Sequence, residues 1–147
     1  MEEQTIGYKD NLAVWVIKEL LNKNSSFNSS LKELFKDILL KTFGDDIYLF
    51  VDSNETLEYT LHFGLKGIKA RELIRTLALD EILITNGEGC SLGLSKPSRV
   101  IQEMGYTQDQ SRNAISISFS EDMTEAEIIE VVELMFKRYK QIRILND

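Results

Sequence analysis

The alternation from Ala114 to Ser120 constrains this chain more than any other stretch. Ile115, Ile117 and Phe119 fall on one side of an extended backbone, and Ser116, Ser118 and Ser120 fall on the other. A period of two residues is that of a strand buried on one face. Its apolar face needs a cover, and the sequence that follows supplies one. Thr124 and Glu127 form a capping box. Ile128, Val131, Val132, Met135 and Tyr139 then recur at helical spacing. Lys137, Arg138, Lys140 and Arg143 lie near the C-terminal end of that helix, where positive charge complements the helix dipole.

The earlier chain alternates helices with short strands. Asn11 to Leu21 reads as a helix, apolar nearly all round (Leu12, Ala13, Val14, Trp15, Val16, Ile17, Leu20). Such a helix is buried on more than one side. Asn22 to Ser29 reads as a loop. Ser30 is placed to cap a helix over Leu31 to Thr42, with Leu31, Leu34, Phe35, Ile38 and Leu39 on its inner face and Gly44 at its end. Ile47 to Val51 and Leu57 to Phe63 are expected strands around an Asp52-Ser53-Asn54 turn. In the second, Leu57, Tyr59, Leu61 and Phe63 share a face opposite His62. Gly64 and Gly67 bracket a loop before a helix over Ile68 to Leu79. Glu81 to Ile84 is a short apolar strand. Ser95 is placed to cap a helix from Lys96 to Met104, with Pro97 in its first turn and Gly105 at its end. Short strands broken up by helices, with a hairpin-like pair, predict an α+β fold. The expected architecture is a small, mostly antiparallel sheet of three or four strands with helices mainly on one face.

At 147 residues the chain reads as a single domain, 1–147. Its size suffices for a core without disulfides or metal. One cysteine and one histidine give no zinc-type ligand set, and a lone cysteine suits a reducing cytoplasm. No stretch approaches the ~18 uninterrupted apolar residues of a membrane span. The N-terminus, Met-Glu-Glu-Gln, is acidic where a secretory signal is basic. A net charge of −7 argues against a general nucleic-acid binder, which needs a basic face to displace counterions from phosphates.

Chemistry is concentrated between Thr85 and Ile101. This stretch holds the only cysteine, Cys90, the only proline, Pro97, and three of the eight glycines, Gly87, Gly89 and Gly93. A thiol reacts as thiolate, so its surroundings decide what it does. Lys96, Arg99 and the start of the following helix favour thiolate, whereas Glu88 opposes it. Cys90 reads as a nucleophile, as a sulfur carrier forming a persulfide, or as a small core residue. His62 is expected to be structural or exposed rather than a catalytic partner. Asn86-Gly87-Glu88-Gly89 reads as a flexible turn and lacks the Gly-Lys-Ser/Thr ending of a phosphate loop. Asp45-Asp46 and Glu121-Asp122 read as solvated turns, with no metal site. Trp15, Phe35 and Tyr48 are expected in the core.

The same loop resembles the C-terminal, small domain of NifS-type cysteine desulfurases in the class V aminotransferase family. The matching stretches are Asn86-Gly87-Glu88-Gly89-Cys90, Pro97-Ser98-Arg99-Val100-Ile101, Met104-Gly105, Ile115-Ser116-Ile117-Ser118-Phe119 and Thr124-Glu125-Ala126-Glu127. They follow without a gap from Cys90 to Glu127. The resemblance runs from about Asn11 onward and is strongest from Gly67 to Leu134. It implies the fold of the C-terminal domain of fold-type I pyridoxal-phosphate enzymes. It implies that residues 1–24 join two domains and that 25–147 form the small-domain core. It also implies that Cys90 takes sulfur from a substrate cysteine held on pyridoxal phosphate and passes it to a sulfur-acceptor protein.

The departures matter equally. The cofactor lysine, the ring-stacking histidine and the aspartate of the family belong to a large domain that this sequence lacks. Ser116 stands where desulfurases carry an arginine for the substrate carboxylate, and a serine cannot supply that charged bidentate clamp. The resemblance therefore implies a chain that binds no cofactor and is inactive alone. It would act with a pyridoxal-phosphate-binding large domain or a homodimer partner. A stand-alone sulfur-carrier or interaction domain and an inert structural remnant are the alternatives.

Overall fold

A computed structural model describes residues 14–18, 29–87, 97–120 and 122–146. Its helices are α1 (Ser29–Phe43), α2 (Ala70–Ala78), α3 (Arg99–Glu103), α4 (Gln108–Arg112) and α5 (Glu125–Asn146), and its strands are β1 (Ile47–Leu49), β2 (Thr60–Leu65) and β3 (Ala114–Ser118). Short 3-10 turns occupy Gly44–Asp46 and Ser53–Glu55. The strands form one antiparallel sheet in the order β1-β2-β3. The α+β expectation holds, with three strands and helices α1, α2 and α5 packed over the core.

The alternation dictates which face is covered. Phe63 pairs with Leu49 on one side and Ile115 on the other, and Leu61 pairs with Ile117. Phe63, Leu61, Ile115 and Ile117 are buried with Leu65 against Phe35 and Leu39 of α1, Leu73 and Leu77 of α2, and Ile128, Val132 and Met135 of α5, with Leu49 partly buried against them. The capping box forms as expected. The Glu127 amide donates to Thr124 Oγ1 at 3.3 Å, and the Thr124 amide donates to Glu127 Oε2 at 2.7 Å.

The basic end of α5 does more than complement a dipole. Arg138 donates to both carboxylate oxygens of Asp80 at 2.7 and 2.6 Å, tying α5 to the end of α2. Arg143 donates to Asp46 Oδ1 and to the Tyr139 hydroxyl, each at 2.7 Å, and that hydroxyl donates to the Lys66 carbonyl at 2.8 Å. Asp46 is therefore engaged by an arginine rather than only solvated.

Several boundaries differ from expectation. The second strand runs Thr60–Leu65 instead of Leu57 to Phe63, with Leu57 and Tyr59 exposed outside it. Gly64 lies inside that strand, paired with Tyr48 and Ala114. Glu81 to Ile84 forms no strand; only Thr85 bridges to the sheet. The helix after Pro97 starts at Arg99, capped by Ser98 rather than Ser95. Helix α4 was not expected, although Thr107 and Gln110 form the capping box that marks its start. Residues 14–18 are helical, but Trp15 is 58% exposed rather than core.

Gly64 is required by close approach. The Tyr48 ring lies across it, and a Cβ there would overlap the ring. The Tyr48 hydroxyl donates to the Gln110 carbonyl at 3.2 Å, which holds the ring in place. Gly64→Ala is expected to cost about 1–3 kcal/mol by overpacking. Urea denaturation checks this, and Tyr48→Ala in the same chain should recover part of the loss. Additive losses in the double variant would count against the contact.

Candidate functional site

The sheet's second face carries the site. His62 and Ser116 are directly opposed across β2 and β3 and so share the face away from Phe63. Ser116 is only 6% exposed, and Thr85 is bridged to it along the outer edge of β3. The Ser116 amide donates to the Thr85 carbonyl at 2.7 Å, and the Thr85 amide returns a bond to the Ser116 carbonyl at 3.2 Å. Beyond this bridge the chain turns away. The Gly87 amide donates to Thr85 Oγ1 at 3.1 Å, and Gly87 has φ +79°, a backbone state that favours glycine. The root of the cysteine-bearing loop is thus fixed beside Ser116.

A groove of about 650 Å³ opens here, lined by Asn54, Glu55, Thr56, Leu57, Thr60, His62, Gly87 and Ser116. Its far wall is held by Lys32 of α1, 4% exposed. The Lys32 ammonium donates to Thr56 Oγ1 at 2.6 Å, to the Leu57 carbonyl at 2.8 Å and to the Thr56 carbonyl at 3.2 Å. The turn that follows is closed by the Thr60 amide, which donates to the Leu57 carbonyl at 3.1 Å, and β2 begins at Thr60. Burial pulls the lysine below its ordinary pKa, with Glu33 and Glu58 acting in the opposite direction. His62 keeps an exposed edge, but the enclosure of the rest of its ring, and next the Lys32 charge, lowers its pKa below the usual histidine value.

Among the expected site residues, Cys90 lies outside the described residues, as do Glu88, Gly89, Gly93 and Lys96. Arg99 is described, on the first turn of α3 and exposed. His62 lies on the groove, the position its strand parity required. Lys32 and Thr56 were not singled out from sequence. The available signal was a lysine on the apolar side of α1, between Leu31 and Phe35.

The shifted groups set an acid response. An unfolded histidine titrates near about 6.5. The folded value lies lower, so between the two the unfolded chain binds more protons and stability falls as pH drops. This contribution is fully present above about 6.5 and is lost as pH falls through the folded value. Asp80, lowered chiefly by its Arg138 hydrogen bond, adds a second loss in the acid range below the usual carboxylate pKa. Urea midpoints measured across the weakly acidic range check this. His62→Gln should flatten the histidine part of the slope, and an unchanged slope would refute the assignment.

A three-stranded antiparallel sheet backed by helices defines a class of domain: it is the fold of NifS-like proteins. The NifS-like protein from Rickettsia africae ESF-5 superposes with a TM-score of 0.59 at 20% identity, covering 76% of this chain and 28% of that one. A second NifS-like protein superposes with a TM-score of 0.60 at 17% identity, covering 77% and 27%. In sequence, the chain is similar to cysteine desulfurase IscS of Rickettsia peacockii (strain Rustic), 24% identical over 129 residues, 88% of this chain. It is also similar to cysteine desulfurase IscS of Buchnera aphidicola subsp. Acyrthosiphon pisum (strain 5A), 26% identical over 102 residues, 69% of this chain. The chain spans only 30% and 25% of the length of these two relatives. No family model matches. The resemblance to NifS-type cysteine desulfurases, read from the Cys90 loop and β3, therefore holds for this domain.

Proposed function

We propose that this chain is a sulfur-transfer domain in which Cys90 accepts a sulfur atom as a persulfide. The observation that carries the reading is the similarity to cysteine desulfurases over 88% of the chain, a span that takes in the loop. The transfer is redox-neutral. The Cys90 thiolate attacks the terminal sulfur of a persulfide donor, the donor's S–S bond breaks, and the donor leaves as a thiolate that takes up a proton. Delivery to the thiol of an acceptor protein repeats the exchange.

The described lining of the groove does not fit pyridoxal phosphate. No lysine or arginine is among those lining the groove. The Lys32 ammonium is directed at Thr56 and Leu57 instead. The cofactor is assigned to a separate large domain or partner subunit, without which the chain does not desulfurate cysteine. The exposed Val14, Trp15 and Ile17 on helical residues 14–18 favour this division, with 1–24 meeting a second body and 25–147 forming the core. Among the described residues no helix is long and apolar enough to cross a membrane, in keeping with work in the reducing cytoplasm.

Incubation with a cysteine desulfurase and cysteine tests the proposal. Mass spectrometry should find one added sulfur on the peptide containing Cys90, removable by reductant, and Cys90 should be alkylated rapidly at neutral pH. Slow alkylation without sulfur gain would leave the inert structural reading.

A further inference from the structure

We propose that Asn86 is a covalent modification site, at which the side-chain amide is lost spontaneously to leave aspartate or isoaspartate, and that the Thr85 hydroxyl sets the rate. The site lies at the root of the loop that carries Cys90, and its chemistry is independent of sulfur transfer.

Asn86-Gly87 is the only Asn-Gly pair in the chain. The reaction begins when the Gly87 backbone nitrogen attacks the Asn86 side-chain carbonyl carbon. A new C–N bond forms and the bond to the side-chain amide breaks. Ammonia leaves, carrying the proton that was on the Gly87 nitrogen, and a cyclic imide remains. Water then opens either of the two carbonyl–nitrogen bonds of the ring. One opening leaves aspartate; the other routes the main chain through the side-chain carbon as isoaspartate. Water is the only co-reactant, and nothing is oxidised or reduced. Glycine in the following position suits the attack, because it has no Cβ to obstruct the approach and a permissive backbone.

The fold supplies both access and a brake. Asn86 and Gly87 are exposed, so water reaches them. They follow directly on Thr85, which two backbone hydrogen bonds pin to Ser116. From that fixed position the Thr85 hydroxyl accepts from the Gly87 amide at 3.1 Å, with Gly87 at φ +79°. The nitrogen attacks only after losing that proton, and a hydrogen-bonded proton is held more tightly. Asn54 and Asn113 lack the open approach, because Glu55 and Ala114 follow them within a 3-10 turn and at the start of β3. Each product at position 86 adds one negative charge to a chain already at −7, two residues before Glu88.

The full chain is incubated at neutral pH and physiological temperature beside a peptide of residues 82–89. Tandem mass spectrometry, and methylation by an isoaspartyl methyltransferase, read the products at position 86. The folded chain is expected to convert about two- to tenfold more slowly than the peptide, the span of one hydrogen bond. Thr85→Val keeps the backbone bridge and loses the hydroxyl. It should remove most of that difference, measured against its own peptide, with an unchanged circular dichroism spectrum. Thr85→Ser, which restores a hydroxyl, should stay slow. An unmodified Asn86 in the folded chain once the peptide has fully converted, equal rates in chain and peptide, or a Thr85→Val chain as slow as the unaltered one would overturn the proposal.

Discussion

Phe63→Ala is expected to lower the unfolding free energy by about 3–5 kcal/mol, the usual cost of truncating a buried phenylalanine. Phe63 is 0% exposed and sits on the central strand, flanked by Leu49 and Ile115 and covered by the helices. Neither neighbouring strand can collapse into the space without breaking its own register. Each kcal/mol moves the midpoint of a domain of this size by about 2–4 °C, so a drop of roughly 10 °C is expected. Thermal denaturation followed by circular dichroism measures it. A loss below about 1 kcal/mol would mean that β2 is not the centre of the core.

Lys32→Ala is expected to cost about 2–4 kcal/mol, because the ammonium bonds two carbonyls and a hydroxyl in a nearly closed site. Lys32→Met keeps most of the stem and loses only the charge and its bonds, so its cost should be smaller. Both variants should raise the His62 pKa, since the lysine charge is one of the two causes that depress it. The rise should stop short of the unfolded value, because burial is the larger cause. An NMR titration of His62 in both variants reads this directly. An unmoved pKa would show that Lys32 supports the groove wall without setting its electrostatics.

Legibility in the sequence followed the range of the interactions. β3 and the start of α5 could be read closely, because strand alternation and the Thr124–Glu127 box depend on neighbours a few positions apart. α4 was equally legible through Thr107 and Gln110 but too short to show apolar periodicity. Glu81 to Ile84 has strand-like composition, yet Leu83 is 84% exposed and only Thr85 reaches the sheet. Leu57 and Tyr59 continue the alternation of β2 on paper. A turn closed by the Thr60 amide on the Leu57 carbonyl interrupts it, beside the bonds from Lys32, which is remote in sequence. Trp15 looked like a core residue from its type alone, and no described core element covers it.

The sequence by itself determined the class of fold, the inward faces of α1, β3 and α5, and the resemblance that singles out Cys90. These rest on local spacing and on a run of matched residues along one chain. Only the tertiary structure decided that Ser116, His62, Thr56 and Gly87 border one groove, that Lys32 stands behind it, and that Arg138 and Arg143 hold α5 to Asp80 and Asp46. Each of those contacts joins segments far apart in sequence. Their partners are selected by which faces pack together and which charges must be satisfied on burial, and no local pattern records that choice.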